Sequence, residues 1–308
     1  MNDQIVMTGI GLAVVLTLTL LLHRYAGIGL GWQPAIAGVR AILQLAVIAL
    51  ILNGVFSQPW TAALFVVLMM SVAALTASGR LKDLHRGRVA AIAGVCTAAI
   101  ISITLVFALR MIEFEVRYII AIAGIVIGNS MSGVTLTGRN FMRSSYAHRG
   151  EVEGWLALGA RPRQAFARIS QESIREALIP TIDQTKSTGL VTLPGAFVGA
   201  IMGGASPVEA ARFQVVVLVT VMLAITIGGI ITTRILSTSP VVPIPPDERD
   251  NGQKPAPSSS TPSKDSEQPG PEGSSSSESD MVIEEETDEK AETGASNRKA
   301  SNSSERRG

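Results

Sequence analysis

The stretch VAAIAGVCTAAIISITLVFAL, Val89 to Leu109, runs twenty-one residues without a charge between Arg88 and Arg110. Coiled as a helix rising about 1.5 Å per residue, it is roughly 30 Å long, the thickness of a bilayer's hydrocarbon core. Outward from it, Ile5 to Leu22, Trp60 to Ser78 and Phe213 to Thr233 are runs of the same kind. The whole pattern predicts about seven transmembrane helices near 5–22, 36–53, 60–78, 89–109, 118–138, 188–204 and 213–234. Short connections make this an all-α polytopic membrane bundle of antiparallel neighbours, covering residues 1–238. The sixth prediction contains GLVTLPGAFVGAIMGG, Gly189 to Gly204, whose Pro194 and many glycines predict a broken or kinked helix held by its neighbours. Ile5 to Leu22 is read as the first span and not as a cleaved leader, because no basic region precedes it and no small-residue cleavage site follows.

The net charge of +1 conceals two opposite halves. Residues 240–308 hold 15 acidic and 8 basic residues, so the tail carries −7 and the rest of the chain +8. Loops one, three and five carry thirteen basic residues: Arg24; Arg80, Lys82, Arg86 and Arg88; and Arg139, Arg143, Arg149, Arg161, Arg163, Arg168, Arg175 and Lys186. The other loops hold only Arg110, Arg117 and Arg212. The excess of Lys and Arg on cytoplasmic loops puts the amino terminus outside and the carboxyl terminus in the cytoplasm of a cell membrane. Residues 239–308 are rich in Ser, Pro and acidic residues without hydrophobic period, and are expected to be a disordered cytoplasmic tail. Met281 to Lys290 within it reads as a solvated stretch or a short partner-binding patch. One cysteine, Cys96, excludes an internal disulfide.

The loop 139–186 is too long for a connector in a small bundle and is charged yet helix-favouring. Glu153, Gly159 and Ile169, with Ala160 beside the glycine, follow a Glu-x5-Gly-x9-Ile spacing that resembles the coupling loop of ABC transporter permeases. The resemblance implies that a helix, a turn at Gly159 and a second helix make a compact knob that docks on an ATPase subunit. The other reading of the loop is an amphipathic helix on the membrane surface, with its arginines at anionic headgroups.

Four ordered blocks carry a closer resemblance: IAGIVIGNSMSGVTLTGRN from Ile122, EGWLALGARPRQA from Glu153, IPTIDQTKSTGLVTLPG from Ile179 and GAIMGGASPVEAARFQ from Gly199. They resemble the FetB-like permease family, which includes bacterial iron-export permeases and plant aluminium-sensitivity permeases. The resemblance implies a homodimeric ABC-type export permease for iron or another metal ion, energised by a separate ATPase subunit. The chain departs from the family at Asp183, where Asn is frequent, and at Ala196, Phe197, Val198 and Ala200. Gln171 and Glu172 stand where the wider ABC pattern has Leu-Pro. No Gly-x4-Gly-Lys-Ser/Thr run exists in the sequence, so ATP is expected to be used by the partner, with no cofactor on this chain and no enzymatic activity of its own. The expected surroundings are the lipid bilayer and the ATPase, with no nucleic acid.

Polar residues inside a span usually mark a cavity or a partner helix. Asn129, Ser130, Met131, Ser132 and Thr135, with Asp183 from the third block, are the candidate transport pathway; the alternative for the Asn129 face is an interhelical hydrogen-bond clamp. Gly124, Gly128, Gly195, Gly199 and Gly203 at spacing four are expected to pack helices closely, with a dimer interface as one place for them. Arg40 and Gln44 share a face, and Arg40 is read as snorkelling to headgroups. His23, His85 and His148 lie far apart, Glu113 and Glu115 read as a solvated pair, and the metal ligands are left unknown. Two rivals stand beside the permease reading: a membrane anchor for a cytosolic partner, and an ion-gradient-driven carrier. The carrier would need intramembrane carboxylates, and none falls within a predicted span.

Overall fold

A computed structural model describes residues 2–55 and 59–243. Ten helices follow in order: α1 Asn2–Tyr25, α2 Gln33–Val55, α3 Pro59–Arg80, α4 Gly87–Ala108, α5 Val116–Ala147, α6 Arg149–Ala157, α7 Pro162–Ala165, α8 Ala167–Ser187, α9 Gly195–Met202 and α10 Pro207–Leu236. Six of them, α1 to α5 and α10, are long and apolar enough to cross a membrane. The expected all-α membrane bundle is present, and no strand forms among the described residues.

The core lies around α10, which packs against α4, α5 and α8. Ala90, Ala91, Gly94 and Ala98 of α4 are buried, as are Gly228 and Thr232 of α10. Lipid gives no hydrophobic push between helices, so close backbone approach through such small residues supplies the attraction instead. The Thr232 hydroxyl donates to the Ala90 carbonyl across this seam at 3.4 Å. At the start of α10, Pro207 takes the first helical position, the Glu209 N–H donates to the Ser206 Oγ at 3.3 Å, and the Ser206 N–H donates to the Glu209 carboxylate at 3.0 Å. This reciprocal cap satisfies helix-end donors that have no partner within the helix. The α1–α2 hairpin is different: among the described residues α1 packs mainly on α2, α2 packs mainly on α1 and α3, and the described side chains are nearly all exposed.

Neighbouring contacts set the direction of each helix. Gly124 of α5 meets Met69 of α3, and Gly138 meets Leu81 just past the end of α3, so α3 and α5 run parallel. Tyr118 stacks near Phe213 at 5.8 Å, and Gly133 meets Ile225, so α5 and α10 are parallel as well. Two parallel spans joined in sequence require a return crossing between Ala147 and Pro207. The expected sixth span, 188–204, is too short to make it: only Gly195–Met202 is helical there. The return is made by α8 together with α9. Most of the stretch 139–186 is therefore not a loop, since 139–147 completes α5 and 167–186 is crossing helix. Its charges hid α8 from a hydropathy reading.

The packing continues a little beyond the last helix. Val242, past the end of α10, is buried in the main core. The expected disorder of the tail, and Met281 to Lys290, lie outside the described residues.

Candidate functional site

One end of the bundle carries a knob. α5 ends at Ala147 and α6 follows at once, then a turn at Leu158–Arg161 and the single turn of α7 lead into α8. Gly159 holds φ +84, a left-handed conformation that costs an L side chain about 1–2 kcal/mol, which is why glycine stands there. The knob is held from beneath by buried Val152, Phe166 and Ile169, and the Phe166 ring lies 5.4 Å from that of Phe141 on α5. Arg168 of α8 ties down Glu151 of α6 at 3.1 Å. Above this anchor, Trp155 is 51% and Leu158 is 83% exposed, three residues apart on one face. Large apolar groups standing free beside a charged segment are the mark of a contact site.

Each expected coupling residue now has a place. Glu153 is exposed, Gly159 forms the tip and Ala160 is half-buried behind it. Ile169 is only 2% exposed, so it anchors the knob and offers nothing to a docking partner. Trp155 and Leu158 were missed by the spacing pattern, although a tryptophan in a charged segment was a visible signal.

The expected pathway residues of α5 do not share one face. Ser130 is fully buried with its Oγ unpartnered, Thr135 is buried and donates to the Met131 carbonyl at 2.7 Å, and Ser132 is exposed. Met131 packs against the core, and the Asn129 amide donates to the Ile125 carbonyl of its own helix at 2.8 Å, so it clamps no neighbour. The glycine stripe makes little contact within the described chain. Gly128, Gly195 and Gly199 have nothing within 4 Å of a built Cβ, and Gly203 meets only the carbonyls of its own turn. Of the five, only Gly124 meets another helix, at Met69. Close helix approaches belong to Gly94, Gly133, Gly138 and Gly228, where a Cβ would strike a neighbouring side chain.

The second polar feature is α8 itself. Ile169, Ser173, Ala177 and Thr181 recur every fourth residue and are buried, which is the spacing of one helical face. Ile174 reaches Gly229, and Ala177 clusters with Val217, Val221 and Ile225, so the middle of α8 stands level with the middle of α10. The opposite face carries exposed Glu172, Arg175, Glu176, Asp183 and Lys186. Asp183 and Lys186 pair at 3.2 Å, with both side chains largely exposed. A charge at the centre of a bilayer costs about 2.5–3.5 kcal/mol even on the mildest scale, so this face is not one for lipid. A groove of about 540 Å³ lies between α8 and α10, lined by Ile174, Leu178 and Ile182 of α8, by Thr226 and Ile230 of α10, and by Arg175, Asp183 and Lys186 of the charged face. Pro180 leaves the Glu176 carbonyl without its helical donor, and the crossing then breaks altogether at residues 188–194, around Gly189 with φ +91.

Charged residues separate by end. Arg80, Lys82, Arg86 and Arg88 join the knob's arginines at one end, while Arg110, Glu113, Arg117 and Arg212 gather at the other, where Arg212 donates to the Met111 carbonyl at 3.3 Å. Among the described residues, no group of three or more His, Cys, Asp or Glu is close enough to hold a metal ion.

Comparison with known proteins places this architecture. The rice protein UPF0014 membrane protein STAR2 (Oryza sativa subsp. japonica) is 40% identical over 208 residues, 67% of this chain and 73% of its own. Protein ALUMINUM SENSITIVE 3 of Arabidopsis thaliana is 34% identical over 223 residues, 71% and 81% of the two chains. The probable iron export permease protein FetB of Escherichia coli (strain K12) is 34% identical over 181 residues, 58% and 70%. No solved structure matches the chain. The profile described as "Uncharacterised protein family (UPF0014)" matches residues 7–239, all of the helical bundle, and the chain is a multi-pass membrane protein of the UPF0014 family.

Proposed function

We propose that this chain is the membrane permease subunit of an ABC-type exporter, working as a homodimer on a separate ATPase, with iron or another metal ion as cargo. The observation that carries the reading is the knob: Trp155 and Leu158 stand exposed above an anchor of Val152, Phe166 and Ile169 that continues directly into α5 and α8. A push on such a knob reaches two membrane-crossing helices through packed side chains, which is what coupling to an ATPase requires. The relative named an iron export permease supports the cargo and direction. The concentration of basic residues at the knob end supports a cytoplasmic knob and an outside amino terminus. ATP chemistry belongs to the partner.

The test is purification of the tagged chain in mild detergent, with identification of what accompanies it. A P-loop ATPase is expected with the native chain and not with Gly159→Pro, because proline cannot adopt the φ of +84 at that tip. No ATPase with a well-folded native chain refutes the ABC reading. One observation favours a second reading: α8 brings three carboxylates, Glu172, Glu176 and Asp183, to membrane depth, as an ion-gradient-driven carrier needs. Cargo export that survives ATP depletion and stops on collapse of the proton gradient would establish the carrier instead.

A further inference from the structure

We infer that the charged face of α8 is one wall of a water-filled passage through the membrane, and that the same face of a second copy of the chain is the other wall. This rests on the permease reading and assigns its route. Glu172, Arg175, Glu176, Asp183 and Lys186 lie along a helix whose buried face is level with the middle of α10, and no element of the described chain covers them. Lipid tails solvate neither charges nor open backbone, so such a surface at that depth faces water or protein.

The break in the crossing points the same way. Between Ser187 and Gly195 the backbone is not helical apart from a bridge between Thr188 and Thr192, and Leu190 is 94% exposed. Irregular backbone at membrane depth is tolerated where it lines a cavity or lies within protein, and broken helices border the binding sites of many transporters.

The charge pattern selects a second copy as the occupant. Two copies inserted in the same direction are related by an axis along the membrane normal, so each residue meets its own counterpart at the same depth. Glu172 opposite Glu172 and Arg175 opposite Arg175 repel, which keeps the two faces from closing on each other and leaves room for water. Arg175 stands about one turn from Glu172 and directly beside Glu176, so the Arg175 of one copy also faces the carboxylates of the other, and the same faces attract diagonally and stay in register. A passage with carboxylates and basic groups along both walls admits hydrated, charged cargo and not lipid. Of the sequence-derived pathway candidates, Asp183 alone lies on it.

The test uses the full chain in membranes, with Cys96→Ala to remove the native thiol. Glu172→Cys, Glu176→Cys and Asp183→Cys are compared with Val67→Cys, a 60% exposed position on the apolar face of α3. A charged, membrane-impermeant methanethiosulfonate reacts with thiolate in water, so labelling is expected at the three α8 positions and absent at Val67. A bifunctional methanethiosulfonate is expected to shift the α8 variants, and not the Val67 variant, to dimer mass. Absence of labelling at all three positions in monodisperse protein overturns the passage; labelling without dimer at any of them overturns the second copy as its wall. Neither readout needs an ATPase or a cargo, so its failure is separate from failure of the co-purification test.

Discussion

Gly94 sits where α4 crosses α10, and a Cβ there would collide with the Thr232 hydroxyl and crowd Val134. Gly94→Leu is expected to force the two helices apart at a cost of about 1–3 kcal/mol, seen as a lower melting midpoint in detergent. Gly128→Leu, one of the glycines chosen by spacing, is expected to leave that midpoint unchanged, because nothing lies within 4 Å. Spacing of four shows which glycines share a stripe of a helix, but it carries no information on which stripe meets a neighbour. Trp155 belongs to the same scale. Being half exposed and clear of the core, Trp155→Ala is expected to keep stability and lose the co-purifying ATPase, which separates docking from folding in one comparison. A drop in stability equal to that of a core truncation would mean the ring is packing and not docking.

At the scale of elements, the knob depends on its anchor. Phe166 is fully buried against Phe141, and Phe166→Ala is expected to cost about 3–5 kcal/mol at that site. The loss falls on the joint between α7 and α8, so limited proteolysis should cut within 149–166 before the bundle unfolds. Cutting no faster than in the native chain would show that the knob is held by something other than this ring pair. α8 teaches the complementary lesson. Its buried face, Ile169, Ser173, Ala177 and Thr181, is small and partly polar, and its other face is charged, so mean hydropathy places it outside the membrane. Contacts with α5 and α10 place it inside.

Across the whole molecule, the parallel run of α5 and α10 requires a seventh crossing, and α8 with α9 supplies it. The amino terminus and Val242 therefore fall on opposite sides of the membrane, as the odd count expected from hydropathy also required. Cysteines placed at Glu113 and at Lys82, in the Cys96→Ala background, are expected to react with an impermeant maleimide from opposite faces of sealed vesicles. Reaction of both from the same face would refute the crossing pattern. The exposed α1–α2 hairpin, mostly apolar and joined to the rest of the described bundle mainly through α3, is the part of the bundle with the fewest neighbours in its own chain.

Long apolar runs sufficed to predict from sequence that five helices before residue 147 and one after 207 cross a membrane, because the cost of an unpaired backbone in lipid leaves a helix as the available answer for such a run. The uneven distribution of arginine likewise told which loops share an end, and four motif blocks led to the family. The true sixth crossing, the anchoring role of Ile169 and the exposed charges of α8 came only from the tertiary structure. Each depends on which residues meet across the bundle, and a local pattern records the faces of a helix without recording what those faces touch.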